Sequence, residues 1–260
     1  MPSPRLSPLL IAGCYALALD CNRQTPTQPT EATVQPSTEA PAARLSPSLG
    51  AASKEPDFDP GDFVSVVNNP YFPLRPGTRF VYVGTEDGEP ERVVTDVTHR
   101  QKTILGVKVV VVLDRVFLGG VLTEKTLDWY AQDEDGNVWY LGEDSKEYEN
   151  GKVVSTAGSW EAGKKGAKAG IIMLAHPRVG QVYRQEFASG VAEDMARVLS
   201  LHANVSVPYG RFDHCLKTAE TTPLEPGAKE IKLYCRGVGF VKGDDVAGGT
   251  AHVVLTRIIP

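Results

Sequence analysis

A surplus of basic charge is missing from this chain. Lys and Arg number 27 against 32 Asp and Glu, a formal net charge of −5 over 260 residues. A surface for DNA or RNA needs clustered basic residues beside aromatic stacking platforms, so no nucleic-acid partner is expected. The nearest basic cluster, Lys164, Lys165 and Lys168, is interleaved with Gly and Ala. Long apolar runs are missing too. The longest, Val107 to Leu113, is interrupted by Lys108. It falls far short of the ~18 residues of a membrane-spanning helix and reads as a strand. Any membrane contact is therefore expected only through a lipid anchor.

Motifs of chemistry are equally scarce. The five histidines (His99, His176, His202, His214 and His252) form neither HxH nor HExxH, and no GxSxG elbow appears. Gly158 to Lys165 has the spacing of a phosphate loop, but Lys165 stands where Ser or Thr would hold magnesium. It reads as a flexible Gly-rich loop. Asp133-Glu134-Asp135-Gly136-Asn137 opens like a calcium loop. Strand-like sequence on both sides makes it an acidic hairpin turn. The acidic set Asp57, Asp59 and Asp62 reads the same way. Asn204-Val205-Ser206 matches a glycosylation sequon by accident. No cofactor and no metal site is expected.

What is present starts with an address. Residues 1–21 put one Arg before a short apolar stretch, the layout of a secretory signal. Ile11-Ala12-Gly13-Cys14 resembles a lipobox, and Cys21, behind the longer run Leu9 to Leu19, is the alternative lipidation site. Residues 22–56 are rich in Pro, Thr, Ser, Ala and Gln without hydrophobic periodicity. Such a stretch cannot bury enough apolar surface to offset its ordering entropy, so it is expected to be a disordered, extended tether. An exported, membrane-anchored protein, periplasmic or extracellular, follows.

Residues 57–260 read as a single antiparallel β domain. From Thr78 onward the sequence alternates with period two in runs rich in Val, Tyr and Leu. Turn signals such as Asp135-Gly136-Asn137, Asn150-Gly151 and Pro226-Gly227 separate them. The expected fold is all-β, a curved antiparallel sheet or an open or half β-barrel. Cys215 and Cys235 lie symmetrically about position 225, beside the Pro226-Gly227 turn. Two strands folded there place them opposite one another, and an oxidising compartment favours a disulfide.

Aromatic and acidic residues mark the candidate site. Asp128-Trp129-Tyr130 and Trp139-Tyr140 flank one hairpin turn, and alternation sends neighbouring aromatics to opposite faces. Ligand-binding candidates are Asp128, Tyr130, Trp139, Trp160, Glu186, Glu193 and Asp194. Carboxylates turned into a β-cavity would be functional; turned outward they are ordinary solvated side chains. Three functions compete. The first is binding of a lipid or other small apolar ligand on a concave β surface. The second is envelope assembly, with the domain as a surface for other proteins. The third is extracytoplasmic hydrolysis by Glu186, Glu193, Asp194 and Asp128, with His176 as a further candidate.

Asn69-Pro70-Tyr71-Phe72-Pro73-Leu74, Pro76-Gly77-Thr78, Asp128 to Asp133 and Gly136 to Tyr140 resemble a group of uncharacterised bacterial secreted proteins and lipoproteins. Ala169-Gly170-Ile171 through Gln185-Glu186, with Glu193-Asp194, fits as well. The resemblance spans most of residues 68–242. It implies export and an all-β domain, and no site residues.

Overall fold

A computed structural model describes residues 57–260. The leader at 1–21, the tether at 22–56 and the lipidation candidates Cys14 and Cys21 lie outside the described residues.

The domain is all-β. A 3-10 turn at Pro60–Asp62 leads into sixteen strands. These are β1 (Phe63–Val64), β2 (Arg79–Glu86), β3 (Glu89–Ile104), β4 (Val107–Leu118), β5 (Val121–Asp133), β6 (Val138–Glu149), β7 (Lys152–Ser155) and β8 (Trp160–Glu161). The second half holds β9 (Lys168–Met173), β10 (Val182–Arg184), β11 (Glu186–Phe187), β12 (Met195–Val207), β13 (Gly210–Thr221), β14 (Lys229–Cys235), β15 (Gly239–Ala247) and β16 (His252–Ile259).

Every pairing is antiparallel, and the order runs β10-β12-β13-β14-β15-β16-β2-β3-β4-β5-β6-β9-β11. The first and last strands of this path are neighbours in the chain, separated only by Gln185. The sheet therefore nearly closes on itself into a barrel. Closure leaves few unpaired backbone groups, which open sheet edges would expose.

Strand alternation sets what the barrel encloses. Along β5, Glu124, Thr126, Asp128 and Tyr130 share one face, and cross-strand partners continue it. Val112 and Asp114 do so on β4, and Tyr140, Glu143 and Ser145 on β6. Tyr130 and Tyr140 stack inside at 4.9 Å between ring centroids. Trp129 and Trp139 point to the other face, as alternation requires. The segment before β2 plugs one end. Phe72 packs 5.3 Å from Tyr130 and 6.4 Å from Tyr234. Asn69 holds the plug by donating to the carbonyls of Gly136 (2.8 Å) and Leu174 (3.1 Å) and accepting from the Tyr71 amide (2.9 Å).

Cys215 and Cys235 form a disulfide across β13 and β14, with Cα atoms 4.4 Å apart. The register Leu216↔Tyr234 has its centre at position 225, the midpoint the sequence marks. Both cysteines are buried. The bond closes a loop with a sequence separation of 20 residues. Reduction is expected to remove about 3 kcal/mol of stability. Urea unfolding of the oxidised protein against a Cys215→Ala/Cys235→Ala variant measures it, and equal midpoints would contradict it.

Candidate functional site

Beside the β5–β6 hairpin lies a cleft of about 510 Å³. Its lining combines Trp129 from β5, Lys102 from β3, Glu143 and Asp144 from β6, Trp160 and Glu161 from β8, and the loops carrying Lys164, Lys165, Ala167, Ala188 and Val191. Strand β8 can lie there because residue 142 is glycine. Gly142 pairs with Glu161 at a φ of 127°, and a side chain would collide with the Trp160 carbonyl oxygen.

Lysines and carboxylates share the mouth of the cleft. Lys102 sits 3.2 Å over the Trp129 ring and 2.8 Å from Glu161, a cation–π contact and an ion pair on one ammonium. Lys164 reaches the same carboxylate at 2.9 Å. Together these hydrogen bonds and charges hold the Glu161 pKa below the usual carboxylate range, although burial pulls the other way. The floor is different. Trp160 and Glu143 are buried, and the Trp160 indole donates to Glu186 (3.1 Å).

Behind Glu143 lies a polar interior. The Tyr140 hydroxyl is 2.8 Å from Asp128 Oδ1 and 3.1 Å from Glu143 Oε2. It carries one proton, so both contacts are hydrogen bonds only if one of the two carboxyls is itself protonated. Burial pushes Asp128 well above the usual carboxylate range, and the charges of Asp114 and Glu143 add to the effect. Glu124 is raised mainly by burial as well, and accepts from Thr126 at 2.8 Å. The Tyr130 hydroxyl is fully buried and has no hydrogen-bond partner.

A second charged group lies across the barrel. Lys232 on β14 is fully buried, with its ammonium 2.9 Å from Glu220 and 3.1 Å from Glu230. Both contacts are ion pairs at hydrogen-bonding distance. Burial works against the charge of Lys232, but Glu220 and Glu230 outweigh it and hold its pKa well above that of an ordinary lysine. Asp194 joins this group; burial raises its pKa strongly, against the pull of Thr222 and Lys232.

The structure thus divides the residues singled out in the sequence. Asp128, Tyr130, Trp160 and Glu186 converge around Tyr140 and Glu143, while Asp194 belongs to the Lys232 group. Trp139 lies elsewhere, packed on Phe58 (5.6 Å) and Phe63 (6.0 Å) and donating to Asp133 (2.8 Å). Glu193 accepts from the Gly190 amide at 2.8 Å and serves a turn. His176 is exposed on the loop after β9. The acidic stretches at 57–62 and 133–135 meet around one hollow of about 260 Å³. There Asp133 is already engaged by the Asn137 amide and side chain and by Trp139, which fits a hairpin turn. Among the described residues no three His, Cys, Asp or Glu side chains are grouped to hold a metal ion. Trp129 and Tyr140 stand out in the sequence as aromatics of the marked hairpin without being binding candidates, whereas Lys102, Glu143 and Lys232 carry no such mark. Lys232 had one usable signal, a charged residue in phase with Tyr234 on its strand.

No protein-family profile matches this chain, and no curated protein matches it. Among solved structures it is similar to a protein of Parabacteroides distasonis described as a candidate lipoprotein. The two are 14% identical, and the match covers 74% of this chain and 99% of that one with a TM-score of 0.42. At that score the likeness carries no argument about this chain.

Proposed function

We propose that this chain is an exported, lipid-anchored binding protein whose cleft takes a small amphiphile with an anionic head group. The observation that carries the reading is the cleft itself. It offers the two indoles of Trp129 and Trp160 with Ala167, Ala188 and Val191 as an apolar bed, and Lys102, Lys164 and Lys165 at the mouth. Its volume lies within the usual range of small-molecule sites, which join apolar walls to a few placed polar groups. Lys102 already covers one indole, so a ligand's anionic head would compete with Glu161 for Lys102 and Lys164. The leader and tether support the location, since a spacer behind an anchor would hold such a cleft near a membrane surface. Asp128 is buried and does not line the cleft, and the carboxylates that line it beside Glu143, Asp144 and Glu161, are already paired with lysines, which weakens a hydrolytic reading.

Titrating the protein with dodecyl phosphate while following tryptophan emission tests this. Saturable binding is expected, at least tenfold weaker for dodecyltrimethylammonium and for a Lys164→Glu/Lys165→Glu variant, given the reversed charge at the mouth. Equal responses to both head groups, or none, would overturn it.

A further inference from the structure

The β12–β13 ladder is irregular at one place. Its register slips between Val198 and Ser200, between Ser200 and Ala203, and again between Ala203 and Val205. Bulges of this kind re-aim side chains. Here they bring His202 and His214, twelve residues apart, onto one exposed face with their Nδ1 atoms 3.0 Å apart and their rings at 85°. His214 adopts a φ of 55°, a conformation few residues other than glycine enter. The next residue, Cys215, is buried and disulfide-bonded to β14, which holds this stretch in place. Backbone strain kept in a surface position with no packing role is a pointer to function.

We propose that His202 and His214 form a binding site for a divalent transition-metal ion, with both Nδ1 atoms as ligands and water in the remaining positions. The spacing supports it. Two imidazole nitrogens each ~2.0–2.1 Å from a shared ion, at an angle between right-angled and tetrahedral, stand about 2.9–3.4 Å apart. Neutral imidazole nitrogens suit copper, nickel and zinc and not the hard oxygen-seeking cations. Nδ1 ligation leaves each Nε2 free to donate to water. Without a metal, one Nδ1 must carry a proton and donate to the other, and either ring can be the donor. The site is independent of the cleft, and its fate does not bear on amphiphile binding.

The test uses the full chain with Cys14→Ser and Cys21→Ser, so that free thiols do not compete for metal. Cu²⁺ is the probe, because it binds nitrogen ligands most tightly of the divalent series. One equivalent should bind, with electron paramagnetic resonance showing coupling to two imidazole nitrogens. His202→Gln, and separately His214→Asn, should each weaken binding by roughly tenfold or more, since each removes half of the protein ligands. Asn tolerates positive φ, so the second variant removes the ring while keeping the backbone. Both positions are exposed, and urea midpoints should be unchanged, which separates a lost ligand from a lost fold. Coupling to one nitrogen or none, or wild-type affinity in either variant, would overturn the proposal.

Discussion

Replacing Lys232 by methionine is expected to cost roughly 3–5 kcal/mol of folding stability at pH 8, the usual penalty for removing one partner of a buried ion pair. Lys232 is the only cation in contact with Glu220 and Glu230 among the ion pairs of the described residues. Both carboxylates are themselves buried or nearly so, and Glu220 also accepts from Thr218 (2.9 Å) and Tyr234 (3.2 Å). Without the ammonium, two like charges face each other in a place water cannot screen. The loss should be smaller at pH 5. Burial already pushes the Glu230 pKa up to about 7 with Lys232 present, so at pH 5 that carboxyl sheds its charge by taking a proton. Adding Glu220→Gln and Glu230→Gln to Lys232→Met should recover most of the stability, because the charges left without a partner are gone. Urea unfolding of the parent, the single variant and the triple variant at both pH values decides it. A single variant as stable as the parent at pH 8 would mean that the Glu220 and Glu230 charges do not oppose one another across the β13–β14 pair.

The fold was largely legible in the sequence, and the reason is periodicity. Runs such as Thr78 to Val83 and Met195 to Val207 are rich in strand-forming residues, and each is a strand or most of one. The hairpin of β13 and β14 could be placed from one turn signal and two cysteines. Strands β9 and β15 are harder to read, because their inward positions carry glycine as well as apolar side chains, which blurs alternation: Gly170 in one, Gly243 in the other. The site was legible only in part. Asp128 and Tyr130 stood out as an acid and an aromatic on one face. The partners that give them meaning, Tyr140 and Glu143, come from the next strand, and their pairing depends on a register slip between Asp128 and Tyr130. No pattern within either strand encodes that slip. The cleft's lysines were hidden for another reason. Gly158 to Lys165 has the composition of a loose loop, and the ion pair of Lys164 with Glu161 fixes where its charge stands. His202 and His214 were invisible for the same cause as Glu143, since a bulged ladder breaks the simple count that pairs positions across a hairpin.

The domain should lose stability as the pH rises from 5 to 8, by at least about 3 kcal/mol, at 1.36 kcal/mol for each pKa unit of difference between folded and unfolded chains. Most acidic side chains in proteins are exposed or paired, and their ionisation favours the fold. Here the barrel interior reverses that. Burial, with the charges of Glu86, Asp245 and Glu230, pushes Glu91 up to about 8; burial foremost pushes Asp114 to about 7 and Glu230 to about 7. Asp128, Glu124 and Asp194 are raised in the same sense. The unfolded chain releases the protons of Glu91, Asp114 and Glu230 near pH 4, the folded chain only near 7 to 8. Across that window the folded state binds more protons. Its stability is therefore complete below about pH 4 for these groups and drains away as the pH climbs through their folded values. Glu161, held low by its two lysines, acts in the opposite sense only below the ordinary carboxylate range. Glu91 isolates the cause, because both of its oxygens are buried with no hydrogen-bond partner. Glu91→Gln should leave stability at pH 5 nearly unchanged and raise it at pH 8, flattening the profile. A urea midpoint that rises with pH in the parent, or a variant whose profile keeps the parent's slope, would show that the interior carboxyls ionise freely in the folded barrel.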